Sequence, residues 1–210
     1  MLELAVSAQT EAMRVQFHHD QKRGGYAALI RRGDGVTVRL PGYDRTFRVP
    51  HDLAHFVAER EFRLDRGVFG SIAAGAMFSN MSLVEGRARY DAQARSRAVL
   101  RANAVELTLA ECLSGVVHTA VEHDLDRPTA HRKLRDSWGV LRPGPCPYGP
   151  ADLGRAVDVL RLLGERWEVL GPGDVLALRW ELAPAPAPRV IRQGNRGPAT
   201  ARRTVGIRTQ

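Results

Sequence analysis

Cysteine, lysine and aromatic residues are scarce in this chain, and long apolar runs are missing. Two cysteines, Cys112 and Cys146, in 210 residues cannot build a disulfide framework and form no CxxC pair, so a reduced, cytoplasmic protein is the expectation. The apolar runs are interrupted well short of the about 18 residues that a membrane span needs. Residues 1–10 carry Glu3 and no basic cluster, which argues against a secretory signal. There is no Walker loop and no GxGxxG, and Ser71, Ser79 and Ser82 lack the GxSxG setting of a nucleophile elbow; P-loop, dinucleotide and α/β-hydrolase chemistry lose their sequence support. Lysine is confined to Lys22 and Lys133, so arginine carries the positive charge. That substitution is first a mark of GC-rich coding and only second of phosphate recognition.

What is present suits one globular domain. Hydrophobic residues make up 44% and charged residues 26%, and 210 residues bury a core without cross-links. Six of the net eight positive charges are Arg189, Arg192, Arg196, Arg202, Arg203 and Arg208, in a stretch from 182 that holds no acid. The expected organisation is a domain over 1–182, then an Ala-Pro linker and a disordered Arg-rich tail over 183–210. The tail is a candidate nucleic-acid arm, weighed against a merely solvated end.

Met13, Val15 and Phe17 alternate with polar residues and predict a first strand over 12–18. A second strand is expected over 26–30. After the Gly-rich turn at 32–35, a third is expected over 36–40, ended by Pro41-Gly42. Pro50 opens a helix to about Leu64, with Asp52 at its positive end. Small apolar residues predict a buried helix over 68–81. The longest helical pattern covers 88–122, with a possible division at Ala102–Asn103 and an apolar stripe that includes Val105 and Cys112. Shorter helices follow over 129–138 and 151–165. Residues 167–170 and 174–180, on either side of Gly171-Pro172-Gly173, read as a hairpin with Trp167 and Trp180 in its core. Strands first, helices next and a hairpin last make an α+β fold, the hairpin joining the N-terminal strands in one antiparallel sheet against a helical layer.

The chemistry concentrates in Pro50-His51-Asp52-Leu53-Ala54-His55 with Glu59 behind it. On a helix His51, His55 and Glu59 fall within about 80° of one another, so two imidazoles and a carboxylate can reach one ion. The expected ligands are His51, His55 and Glu59, for Zn²⁺, Fe²⁺ or Mn²⁺. Glu59 and Asp52 are the candidate catalytic carboxylates: Glu59 as ligand or general base, Asp52 as orienting partner or helix cap. Because Asp52 stands where HExxH needs a glutamate, zincin chemistry is not implied. The bland alternative is a polar helix edge. Two other groups can complete the site: Glu111, His118 and Glu122, aligned on one face of the long helix opposite its apolar stripe, with solvent as the default; and His18-His19-Asp20 at the end of the first strand. Cys112 is expected in the core, and Cys146 has no base beside it.

The HDLxH helix after N-terminal strands, with the later Trp167–Trp180 pattern, resembles uncharacterised bacterial proteins over most of 13–182; that resemblance implies no activity. Locally, His51-Asp52 and His55 resemble the HDxxH metal motif of a ubiquinone-biosynthesis family, although Arg66-Gly67-Val68 stand where that family has a glutamate. The His51-Asp52 pair also resembles that of HD-domain phosphohydrolases, but β-like sequence precedes it here. The sequence therefore supports a metal-binding helix suited, if catalytic, to metal-assisted hydrolysis. The alternatives are a noncatalytic interaction or regulatory protein and a nucleic-acid binder acting through the tail. Substrate and partner are not specified.

Overall fold

A computed structural model of the protein describes residues 12–20, 25–42 and 46–181, with the side chain of Asp20 excepted. The expected linker and tail over 183–210 therefore lie outside the described residues.

Among the described residues five strands form one antiparallel sheet: β1 (Met13–Asp20), β2 (Gly25–Arg31), β3 (Thr37–Gly42), β4 (Ser82–Glu85) and β5 (Leu176–Trp180), in the order β4-β3-β2-β1-β5. The register aligns Val15 with Ile30 and Leu178, and Phe17 with Ala28 and Leu176. One face is therefore apolar and buried, while Arg14, Gln16, Arg31 and Arg179 are exposed on the other, as period-2 alternation demands. β3 runs through Pro41 rather than stopping before it. Because β4 pairs only with Thr37, Val38 and Arg39, β3 is an edge at Pro41, where proline is tolerated. β4 itself left no alternating signal, being a short edge strand exposed at every position.

Among the described residues six helices complete the fold: α1 (His51–Glu61), α2 (Val68–Ala73), α3 (Ala92–Ala102), α4 (Ala104–Glu122), α5 (Arg127–Leu141) and α6 (Pro150–Glu168). α1 lies on the apolar face of the sheet. Its Phe56 is edge-on to Phe17, Phe69 and Trp180 at centroid distances of 6.4, 5.2 and 5.6 Å. Each buried ring contributes about 1.5–3 kcal/mol through removal from water. α4 packs against α1, α5 and α6. By length and hydropathy alone it matches a membrane span, but half of it is buried inside the protein.

The expected division of the long helix falls at Asn103, whose buried side chain donates to Ser71 Oγ at 3.1 Å. α2 is shorter than expected and ends at Ala73, two residues before Gly75 at φ 101°. α5 begins at an Asp126 cap that accepts from Thr129 N at 2.7 Å and runs beyond the predicted 129–138. The hairpin expectation needs a correction. Its first arm is no strand: Leu153, Ala156, Leu160, Leu163 and Trp167 make one buried 3.6-period stripe that carries α6 on to Glu168, and Val169–Leu170 turn away after it. Tertiary burial of Trp167 outweighs the local strand preference. Only the second arm, β5, is a strand, and it pairs with β1. Cys112 and Val105 also leave the expected core. Cys112 is half-buried between α4 and α5, and Val105 is exposed.

Candidate functional site

α1 and α4 bring the polar residues together. Pro50 caps α1 without a side-chain bond, so Asp52 is not the cap. Its amide donates to Tyr26 Oη at 3.1 Å, which ties the first turn of α1 to β2. From this turn His51 and His55 face α4, their rings edge-on at 4.9 Å.

Glu111, projecting from α4, spans both histidines: Oε1 lies 3.2 Å from His51 Nε2 and Oε2 lies 3.0 Å from His55 Nε2. The three ligand-type atoms all lie within 4.8 Å of one another. This is a His-His-carboxylate group able to hold a metal ion. Its two sides differ in access. His55 is 2% exposed while Glu111 is 63% exposed, leaving an open approach from the carboxylate side.

The expected ligand Glu59 is fully buried and sits behind His55 rather than beside His51. Its Oε1 is 3.1 Å from His55 Nδ1. The same carboxylate accepts from Val68 N at 2.7 Å and Phe69 N at 2.9 Å, the first amides of α2. Gly67 makes this approach possible, since a Cβ there would lie 2.3 Å from the Glu59 carboxyl carbon. Both oxygens accept from amides that have no partner within their own helix, so Glu59, expected as ligand and general base, stands outside the group of three and backs the His55 ring. A carboxylate accepting Nδ1–H and leaving Nε2 for an ion is the usual support of a metal-bound histidine.

The electrostatics follow from this placement. Burial alone would drive His55 towards its neutral form. Hydrogen bonds to Glu111 and Glu59, reinforced by their charges, outweigh it and raise its pKa to about 10. Hydrogen bonds from His51 and His55 hold Glu111 well below the ordinary carboxylate range despite partial desolvation. Burial raises the pKa of Asp52, against the pull of His55, Tyr26 and His51. Asp52 is therefore within electrostatic reach of the group without belonging to it.

The second expected cluster divides. Glu111 joins the site. His118 and Glu122 are buried beside it but face the chain before α1: His118 Nε2 donates to Val49 O at 2.8 Å, and Glu122 accepts from Val49 N at 2.8 Å and Arg48 N at 3.2 Å. Solvent is the wrong partner for His118 and Glu122 because α1 and the chain before it pack on this part of α4, whereas Glu111 stays 63% exposed. The third group does not converge on the site among the described residues. His19 packs its ring on Trp167 at 4.0 Å, and His18 lies in β1 opposite Ala27.

Two contributors carry no mark in the sequence. Ser114, with Oγ 3.3 Å from His55 Nδ1, lies one turn from Glu111 on the same helical face, and that spacing is the only clue. Tyr26 reaches Asp52 across sheet and helix, a contact that only tertiary structure sets. No protein-family model, no curated protein and no solved structure matches this chain, so the chemistry rests on the geometry.

Proposed function

We propose that the protein is a metal-dependent hydrolase whose ion is held by His51, His55 and Glu111. The observation that carries this reading is the convergence of two imidazole nitrogens and a carboxylate at a half-open surface. Ligands about 2.1 Å from a tetrahedral ion stand about 3.4 Å apart; the three ligand atoms here lie within 4.8 Å of one another, so a bound ion would draw them together. Two histidines and one carboxylate suit Zn²⁺, Fe²⁺ or Mn²⁺ and leave a coordination position for substrate or water. Such an ion acts as a Lewis acid and lowers the pKa of a water on it. Glu59 fixes the His55 ring and tautomer. Asp52, the neighbouring carboxylate not bound to a backbone amide of another helix, is the candidate proton acceptor. The cytoplasm suits a chain with two free cysteines.

One observation favours a noncatalytic reading. His55 has a carboxylate at each ring nitrogen, an arrangement that also serves as an ion-paired clamp joining α1, α2 and α4. The two readings separate on metal content. Elemental analysis of the purified full chain should find near one equivalent of a divalent metal, lost in folded His51→Ala and Glu111→Ala variants. Hydrolysis of p-nitrophenyl acetate or bis-p-nitrophenyl phosphate should stop on chelation and return with the metal. Absence of metal even after reconstitution leaves the clamp; stoichiometric metal without hydrolysis of either compound removes the hydrolase assignment and keeps the metal centre. Nucleic-acid binding through the arginines of 183–210 is a separate proposal, resting on their charge and tested by deleting that segment from a salt-dependent DNA-binding assay.

A further inference from the structure

Away from the His-Glu group, a cavity of about 460 Å³ is lined by residues from the end of α1, the start of α4 and the end of α5. Its volume falls in the range of roughly 300–1,000 Å³ typical of small-molecule sites. None of its lining residues belongs to the His-Glu group.

Its walls combine ring surface with cationic groups. Trp138 and Tyr148 stand edge-to-face at 5.8 Å, and Leu109 adds apolar surface between them and α4. Tyr148 is held in place by its hydroxyl, which donates to Phe62 O at 3.2 Å. The cationic lining is Arg63, Arg66 and Arg142, facing the two acids Asp65 and Glu106. Arg142 is spent on Glu106 at 3.2 Å. Arg63 and Arg66 have no ion-pair or side-chain hydrogen-bond partner among the described residues, which leaves net positive charge at the cavity. Trp138 Nε1 is a buried donor without an acceptor among the described residues.

The backbone at Arg63 is a second, independent pointer. α1 ends in a Schellman turn, with Leu64 N donating to Glu59 O at 2.7 Å and Arg63 N to Arg60 O at 3.3 Å. The residue after the cap must be left-handed, and glycine is the usual occupant. Here Arg63 sits at φ 56°, a conformation that costs an L-residue energy. A strained non-glycine residue that lines a cavity is a recognised mark of a functional position.

We infer that this cavity binds a planar organic anion: an aromatic or heteroaromatic ring seated among Trp138, Tyr148 and Leu109, with a carboxylate or phosphate at Arg63 and Arg66. Guanidinium groups suit both kinds of anion through their fork of donors. The site is independent of the metal reading and does not need it.

The three tryptophans of the chain give three indole signals in a ¹⁵N-correlated NMR spectrum of the full-length protein, and Trp138→Phe assigns one of them. Titration with 2-naphthoate or phenyl phosphate should shift the Trp138 signal saturably, with submillimolar Kd, while neutral 2-naphthamide should not. Arg66→Ala and Arg63→Gly should each weaken binding at least tenfold. Arg63→Gly should melt at or above the wild-type temperature, so that its loss of binding cannot be ascribed to loss of fold. If neither anion produces a saturable shift, the inference fails. Equal affinity for the amide, or unchanged affinity in the folded arginine variants, overturns it as well.

Discussion

The protein contains the pattern His-x-x-x-Glu twice on facing helices, and the two copies end in different chemistry. In both, the glutamate accepts two consecutive backbone amides at the start of another segment: Glu59 from Val68 and Phe69, Glu122 from Arg48 and Val49. The histidines diverge. His55 Nε2 meets the carboxylate of Glu111, whereas His118 Nε2 meets the neutral carbonyl of Val49. The pair on α1 is also tighter, 3.1 Å against 3.8 Å. Spacing within one helix therefore does not define a ligand set; what crosses the helix interface decides whether an imidazole faces an ion site or closes a backbone turn.

Removing the two glutamates should give the largest contrast. Glu59→Ala leaves two amides and a buried imidazolium without their acceptor, and breaking such a network costs about 3–5 kcal/mol. Glu122→Ala leaves amides nearer the surface and a weaker His pair, for which about 1–3 kcal/mol is expected. Urea unfolding measures both, and equal losses would erase the distinction drawn between the copies.

A pH series sharpens the comparison. The folded protein holds the His55 proton to about pH 10, against an ordinary value of 6.5. In the metal-free protein this stabilisation is complete below about pH 6.5 and is lost as pH rises towards 10, because the unfolded chain releases the proton first. The loss should reach a few kcal/mol between pH 7 and 10, read as the difference between wild type and His55→Gln. Glu111 works in the opposite sense: its depressed pKa stabilises the fold above about pH 4.5 and the benefit is lost as the solution is made more acidic. Its exposure to solvent makes this a small effect of less than about 1 kcal/mol, visible as a shallower acid limb in Glu111→Gln.

One expected change is a gain. Arg63→Gly relieves the left-handed residue at the end of α1 and should stabilise the protein by about 1 kcal/mol. A calorimetric scan in the absence of ligand checks it.

Much of the frame was legible in the chain. Alternation located β1, β2 and β3, and Pro50 placed the start of α1, because each signal is local. Glu111 was visible on a polar face of the long helix and as a candidate to complete the histidine site, with solvent as the default; the packing of α1 on α4 is what brings it to both histidines. Glu59 was misplaced for a related reason. Its helical angle puts it with His51 and His55, yet the free amides of α2 and the absent side chain of Gly67 draw it behind the ring. Trp167 followed its helical neighbours rather than its β-favouring successors, since a buried 3.6-period stripe outweighs four residues of local preference.

The most direct test of the metal centre is a zinc titration of metal-free protein by calorimetry across pH 6 to 9, in buffers of different ionisation enthalpy. One equivalent should bind and release about one proton, with affinity rising about tenfold per pH unit as the ion displaces the proton of His55. Glu111→Ala should abolish this binding and Glu122→Ala should leave it unchanged. No binding to the wild type at any of these pH values, or loss in both variants alike, would contradict the account.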